Sequence, residues 1–327
     1  MYLDSIDKQI INLVQTEFPL TREPYVYLGL RLGIDDNEVI RRIEQLKAQG
    51  IIRQISPVLD SRRLGYQTTL VAMRVGPAEL ESTEQTIAEH PGVSHGYERD
   101  HFFNLWFTLT VTPKVDIEAE LQRLSSATGA EAVFALPALK VFKIGAYFDM
   151  DGNGQETDGI SPPSSSGLPE KIRLSQQDKL IINELQQDLP LVPTPFASMA
   201  ARLRMDVEDF LVGCQSLLQR GIMRRFGAAI NHHQAGFKAN AMACWVVLPD
   251  MVDAVGRKLA SLRQVSHCYE RKTNPLWQYN LFAMMHGHTR EIGQKLADDI
   301  SRQVGLKDYV LLFSIKEFKK TRVKFLI

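Results

Sequence analysis

One pattern constrains this chain more than any other: its second half restates its first. Ile10-Ile11-Asn12 returns as Ile181-Ile182-Asn183, Gly50-Ile51 as Gly221-Ile222, and Val93-Ser94-His95-Gly96-Tyr97-Glu98-Arg99 as Val265-Ser266-His267-Cys268-Tyr269-Glu270-Arg271. The offset is 171 for the first two pairs (181 − 10, 221 − 50) and 172 for the third (265 − 93). A register held over so long a stretch is a duplicated domain pair, too long for a solenoid repeat. Two tandem copies are expected to pack about an approximate two-fold axis, as in a homodimer, while fusion leaves each copy free to diverge.

The 327 residues suffice for two or more domains with cores of their own, and 44% hydrophobic with 23% charged is ordinary globular composition. Lys plus Arg (38) equals Asp plus Glu (38), so no overall field draws the chain to nucleic acid or an anionic membrane. Any anion must be gripped locally. Cys214, Cys244 and Cys268 are odd in number and lack CxxC spacing, which argues against a disulfide framework or structural zinc. The start Met-Tyr-Leu-Asp-Ser carries neither a basic nor an apolar leader region, and no apolar run reaches membrane-spanning length. A cytoplasmic protein is expected.

Residues 151–170, rich in Gly, Pro and Ser, read as a flexible linker between the halves. Within each half the hydrophobic period changes once. Apolar residues at Ile6, Ile10, Leu13 and Val14 and at Leu28, Leu32, Val39, Ile43 and Leu46 follow helical spacing, with Gly33 and Gly50 as stops. Gly50-Ile51-Ile52-Arg53 then runs from a helix end into a strand, the entry to a wing. Beyond it the pattern reads βαββαβ, over 68–75, 78–90, 93–99, 103–112, 116–128 and 138–146, and again over 239–318. The expected fold class is α+β: two tandem copies of a winged helix-turn-helix (1–60 and 171–231) and a ferredoxin-like domain (61–150 and 232–327), arranged as a pseudo-dimer.

This order, with Leu3-Asp4-x-x-Asp7-x-x-Ile10-Ile11 at its head, resembles the Lrp/AsnC transcription regulators. The helices that would enter DNA contradict a regulator's role. One begins Asp35-Asp36-Asn37-Glu38 and its copy Asp206-Val207-Glu208-Asp209, carboxylates where phosphate contacts are made. The same residues also suit the positive end of a helix dipole, which is the plainer account of them.

A second resemblance is more specific. Tyr97-x-Arg99-x-His101-x-x-Asn104-x-Trp106, the run Arg224-Arg225-Phe226-Gly227-Ala228, Gly236-Phe237-Lys238-Ala239-Asn240, and Tyr269-x-Arg271-x-x-x-Pro275-x-Trp277 with His286 after it are similar to the siroheme decarboxylases, AsnC-like proteins of two related subunits, here joined in one chain. The resemblance implies a lyase of haem or haem d1 biosynthesis that removes two acetate carboxyl groups of iron-siroheme as carbon dioxide, giving 12,18-didecarboxysiroheme. It implies no added cofactor, since the substrate carries the iron, and no nucleic-acid or membrane partner; a homodimer of the fused chain is compatible with it. Arg99, Arg224, Arg225, Lys238, Arg271 and Lys272 would hold carboxylates, and Tyr97, Tyr269, Trp277 and Phe226 would cover the ring. His101 and His286 are the expected proton donors, and either could instead contact the iron.

Plainer readings stand beside these. His95 and His267, equivalent in the repeat, suggest a shared structural task, and His232 and His233 adjoin a turn as surface residues. Arg99 and Arg271 could simply pair with Glu98 and Glu270. Phe102, Phe103, Trp106 and Phe107 look like core, and Cys268 like an inert thiol. Four residues separate Arg99 from Asn104 but eight separate Arg271 from Asn280, so the second half has a longer loop, 272–278, that could close over a macrocycle. The competent site is therefore expected chiefly in the second half. A regulator and a tetrapyrrole sensor or carrier without turnover remain the alternatives, because fold does not fix function.

Overall fold

The structure, a computed structural model, describes residues 3–16, 18–145, 172–231, 239–262, 264–287 and 289–327. The linker expected at 151–170 lies outside them, as do Lys238, His232 and His233.

The first winged unit comprises α1 (Ser5–Thr16), α2 (Pro24–Leu32), α3 (Asp36–Ala48) and β1 (Ile52–Leu59); its copy comprises α6 (Gln176–Leu185), α7 (Pro195–Arg202), α8 (Val207–Gln219) and β6 (Met223–Ile230). Local chemistry sets the helix ends. Pro24 and Pro195 open α2 and α7, where a missing N–H costs nothing, and Gly33 closes α2 at φ +70°. The acidic clusters are caps: the side chains of Asp35 and Asp206 accept from the backbone N–H groups of Asn37 and Glu208. β1 and β6 pair antiparallel, Ile55 opposite Ala228. Their helices then merge into one core, where Ile10, Leu28 and Ile43 pack with Ile181, Phe196 and Phe210.

The ferredoxin-like half-chains run β2 (Gln67–Arg74), α4 (Leu80–Glu89), β3 (Val93–Arg99), β4 (Leu105–Val111), α5 (Ile117–Thr128), β5 (Ala132–Ile144), and β7 (Ala239–Trp245), α9 (Val252–Ser261), β8 (Val265–Arg271), β9 (Leu281–Gly287), α10 (Arg290–Val304), β10 (Tyr309–Lys320). The order βαββαβ is as the pattern reads. Their association goes further than two separate sandwiches. β5 has 13 residues and β10 has 12, roughly 40 Å of extended chain, more than one small sheet can use. Residues 132–137 of β5 pair with β2 at home, and 138–144 pair with β8 of the other half; β10 likewise pairs first with β7 and then with β3. The eight strands close into a barrel in the order β10-β3-β4-β2-β5-β8-β9-β7. Closure leaves neither half a free sheet edge.

Strand alternation then divides the apolar residues between two environments. Val71, Met73, Leu105, Phe107 and Leu109 face outward under α4 and α5, and Ala243, Trp245, Leu281 and Ala283 do the same under α9 and α10. Ala72, Trp106, Phe134, Leu136, Met242, Cys244, Phe282 and Leu312 face inward. Among the described residues no helix is long and apolar enough to cross a membrane.

Candidate active site

At one end, the barrel is stoppered by aromatic rings. The β3–β4 turn contributes Phe103 and His101, and the longer β8–β9 loop folds Trp277 inward until it is 3% exposed, with ring centroids 5.0 Å from Trp106 and 5.5 Å from His101. His101 Nδ1 accepts from the Phe103 N–H at 3.1 Å, and burial lowers its pKa. Phe103, Trp106 and Phe107 are core, as their alternation suggests; Phe102 is 62% exposed beneath the Arg74 guanidinium. Lys272 is exposed at this same end. The long loop is thus a stopper in this structure, with its Trp turned into the core rather than toward an open cavity.

Above the stopper stand two buried guanidinium groups. Arg99, 3% exposed, donates from Nη1 to the Leu312 carbonyl at 2.7 Å; Arg271 donates to the Leu136 carbonyl at 2.8 Å. Both acceptors belong to the crossing strands, so the equivalent residues make equivalent bonds. The expected pairing with Glu98 and Glu270 does not occur: among the described residues no carboxylate lies within ion-pair distance of either arginine, and the Nε atom of each is buried without a partner. Burial pulls both pKa values down to about 10, leaving them charged at neutral pH. A buried cation without an anion costs several kcal/mol. Tyr97 and Tyr269 lie against these guanidinium groups, at 5.2 and 4.7 Å from ring centroid to carbon.

Toward the wings the strands carry His95 and His267. Each Nδ1 lies 2.9 Å from the hydroxyl of the preceding residue, Ser94 or Ser266. Both rings keep a little accessible surface although protein crowds them on every side, as befits the lining of an internal chamber. Burial, reinforced by Lys320, His267, Arg53 and Arg322, pushes His95 down to about 3; burial with Lys320, Arg225, Arg271 and Lys143 pushes His267 down to about 4. His267 contributes to the lowering at His95 and Lys320 to the lowering at both, so the two histidines lie near one another where the halves meet.

Lys320 and Arg322 are themselves driven down by burial, to about 8 and about 9. Arg322 follows β10 and donates to the Pro57 and Gly227 carbonyls at 2.7 and 3.1 Å, tying the chamber to both wings. Arg53 bonds Glu317 at 2.6 Å.

The other expected site residues divide. Arg225 is enclosed beside the chamber and donates to the Gln15 carbonyl, whereas Arg224 forms an ion pair with Asp60 at 2.8 Å. Phe226 is buried in the helical core against Phe18 and Phe196. The backbone of His286 pairs with Asn240 near the end of β9, the end that also holds His267; its side chain lies outside the described atoms. His101 stands at the stopper, so the structure does not bring the two expected proton donors together. Sequence reading passed over Lys320, Arg322, Arg53 and Glu317. The available signal was Glu317 and Lys320 late in β10, where the repeat has Val141 and Ile144 in β5.

Comparison with known proteins bears on this geometry. The sequence model described as the siroheme decarboxylase NirDL-like HTH domain matches residues 7–53 and 178–224, and that of the AsnC-like ligand binding domain matches 63–143 and 234–319. A siroheme decarboxylase of Hydrogenobacter thermophilus is 39% identical over 322 residues, covering 97% of this chain and 94% of its own. This chain belongs to the siroheme decarboxylase family. Among solved structures, the crystal structure of the siroheme decarboxylase NirDL matches with TM-score 0.74 and 37% identity, over 99% of this chain and 95% of that one. A crystal structure of NirDL in co-complex with an iron-uroporphyrin III analogue matches with TM-score 0.72 and 36% identity, over 98% and 94%. The likeness to the NirDL structures therefore extends over essentially the whole chain.

Proposed function

We propose that this chain decarboxylates iron-siroheme in the chamber between barrel and wings, converting two acetate side chains to methyl groups and yielding 12,18-didecarboxysiroheme in haem or haem d1 biosynthesis. The observation that carries this reading is the pair of buried arginines, Arg99 and Arg271, each lacking a carboxylate and each beside a tyrosine. Such guanidinium groups gain most from a ligand that brings the missing anions, and siroheme is a flat polycarboxylate.

Each reaction breaks the bond between a methylene and its carboxylate. Carbon dioxide leaves, the electron pair spreads into the macrocycle, and one proton delivered to the carbon completes the methyl group. The macrocycle is its own electron sink, so the reading needs no cofactor beyond the iron that the substrate carries. Proton delivery we assign to the wing end, to His95 and His267 with His286 nearby; His101, engaged with Phe103 and Trp277, we assign to the stopper. Both chamber histidines are neutral in the free protein because burial disfavours their charged form and nearby cations add to the effect. A polyanionic ligand offsets those cations and restores their proton affinity. The enzyme would thus become protonated as it is loaded.

The regulator reading has less behind it. Arg42 on α3 is taken by Asp4, Asp7 and Glu38, Arg41 by Glu38, and the wings are occupied with each other. We place the reaction in the cytoplasm. Anaerobic incubation with iron-siroheme, followed by mass spectrometry of the extracted tetrapyrrole, tests the reading. Loss of one and then two carbon dioxide units is expected from wild type and His101→Gln, and strong suppression from His267→Gln; binding with unchanged mass would make the protein a carrier.

A further inference from the structure

The chamber presents nearly the same groups twice. β3 and β8 supply His95, Tyr97 and Arg99 on one side and His267, Tyr269 and Arg271 on the other, related by the half-turn that relates the two halves. A disc-shaped polycarboxylate meeting only matched pairs could settle in two orientations a half-turn apart. Different acetate groups would then face the same histidine. A residue present on one side alone must break the tie.

The crossing strands carry that difference. Lys320 pairs with His95 and Glu317 with Tyr97; at the corresponding places Ile144 pairs with His267 and Val141 with Tyr269. Directly opposed residues on antiparallel strands project from the same face, so these side chains share the chamber lining with the histidines and tyrosines. One wall is therefore charged, with Arg53 bonding Glu317 at 2.6 Å and Lys320 Nζ 3.9 Å from the same carboxylate. On the opposing wall Ile144 and Val141 take the places of Lys320 and Glu317, its neighbour Lys143 is directed to the Leu262 carbonyl at 2.9 Å, and the cations near Tyr269, Arg62 and Arg224, are engaged with the Ala138 carbonyl and Asp60.

We propose that Lys320 fixes the orientation in which the tetrapyrrole lies in the chamber, and so decides which acetate side chain is lost first. The inference rests on the reading of the chamber as the tetrapyrrole site. In one orientation a ring carboxylate meets the Lys320 ammonium as a charge-assisted bond; in the other it is pressed against Ile144 and loses hydration without recompense. A preference of at least tenfold between the orientations follows.

Two measurements on intact protein test this, using Lys320→Ile, its conservative partner Lys320→Arg, the exchange variant Ile144→Lys with Lys320→Ile, and Lys307→Ile at an exposed site as control. The first is affinity for iron-uroporphyrin III by absorbance titration, which requires no turnover. Lys320→Ile should bind at least tenfold more weakly, with Lys320→Arg and Lys307→Ile close to wild type. The second is the identity of the singly decarboxylated intermediate after limited turnover of iron-siroheme, read by NMR. Wild type should give one regioisomer, Lys320→Ile a mixture, and the exchange variant chiefly the other isomer. Equal amounts of both isomers from wild type would overturn the proposal, as would unchanged affinity or an unchanged single isomer in Lys320→Ile. If wild type released no carbon dioxide, the functional reading would fail, and the affinity series would still decide the role of Lys320. Should Lys320→Ile not fold, Lys320→Arg against Lys320→Gln makes the same comparison.

Discussion

The two halves solve the same packing problem with different residues. In the first half Phe318 of β10 lies over Gly96 of β3, where a Cβ would come within 2.2 Å of its ring; in the second, Phe142 of β5 lies over Gly256 of α9, and Cys268 stands where Gly96 would be. The turns differ more. The β3–β4 turn is short and carries His101, while the β8–β9 loop is four residues longer (8 − 4) and sends Trp277 across to fill the barrel end for both halves. The His, Tyr and Arg of β3 and β8 remain matched. Duplication has thus kept the His, Tyr and Arg set that β3 and β8 bring to the chamber, while the stopper and the crossing strands have diverged.

The comparison can be broken most severely at the stopper. Trp277→Ala removes a buried ring that touches Trp106, Phe103 and His101, and should cost about 3–5 kcal/mol in chemical denaturation. Affinity for iron-uroporphyrin in the folded fraction should change little; a loss of affinity larger than the loss of stability would return Trp277 to the ligand. Next come the arginines. Arg99→Met and Arg271→Met should each weaken binding about 100-fold, ~2.7 kcal/mol, because a ligand carboxylate loses a buried bidentate partner. Fold stability should hold or rise, since a costly unpaired charge is removed. Unequal effects of the two substitutions on affinity would show that the matched lining is unequally used.

A smaller effect concerns pH. His95 and His267 have folded values of about 3 and about 4, below the ordinary histidine value of about 6.5. The unfolded chain therefore binds more protons than the folded chain between those limits. Their contribution to stability is complete above pH 6.5 and is lost as pH falls toward 4. Thermal melts of the ligand-free protein should show this loss, and the double variant His95→Gln with His267→Gln should flatten it. Smallest is the cap of α6. Ser175 and Asp178 form a reciprocal box there, as Asp4 and Asp7 do at α1, and Ser175→Ala should cost about 1 kcal/mol by denaturant titration.

Much of this architecture was legible in the residues. The repeat announced the pseudo-dimer, and the change of period from helix to strand separated the winged units from the sheets. Closure of the barrel was not legible, because β5 and β10 read as ordinary last strands; nothing in an alternating pattern says where a strand changes partners. The motif singles out the arginines and tyrosines, whereas symmetry alone makes His95 and His267, the proton donors we propose, read as structural. Lys320 sits in the basic stretch Lys319-Lys320-Thr321-Arg322, where neither charge nor period marks one lysine as buried. Trp277 is buried at the barrel end for a simple reason: a longer loop can fold inward as readily as it can reach outward.

The crossing strands also shape how such a chain can be made. Lys320 pairs with His95, 225 residues earlier (320 − 95), so the seam between β3 and β10 cannot form until that long intervening stretch has been synthesised. At about 5–20 residues per second, the edge of β3 waits roughly ten to forty-five seconds for its permanent neighbour. An unpaired edge is a template for any passing strand, and pairing over such a separation is slow. Cellular yield should therefore respond to translation speed and to holding chaperones more than the stability of the finished barrel would suggest.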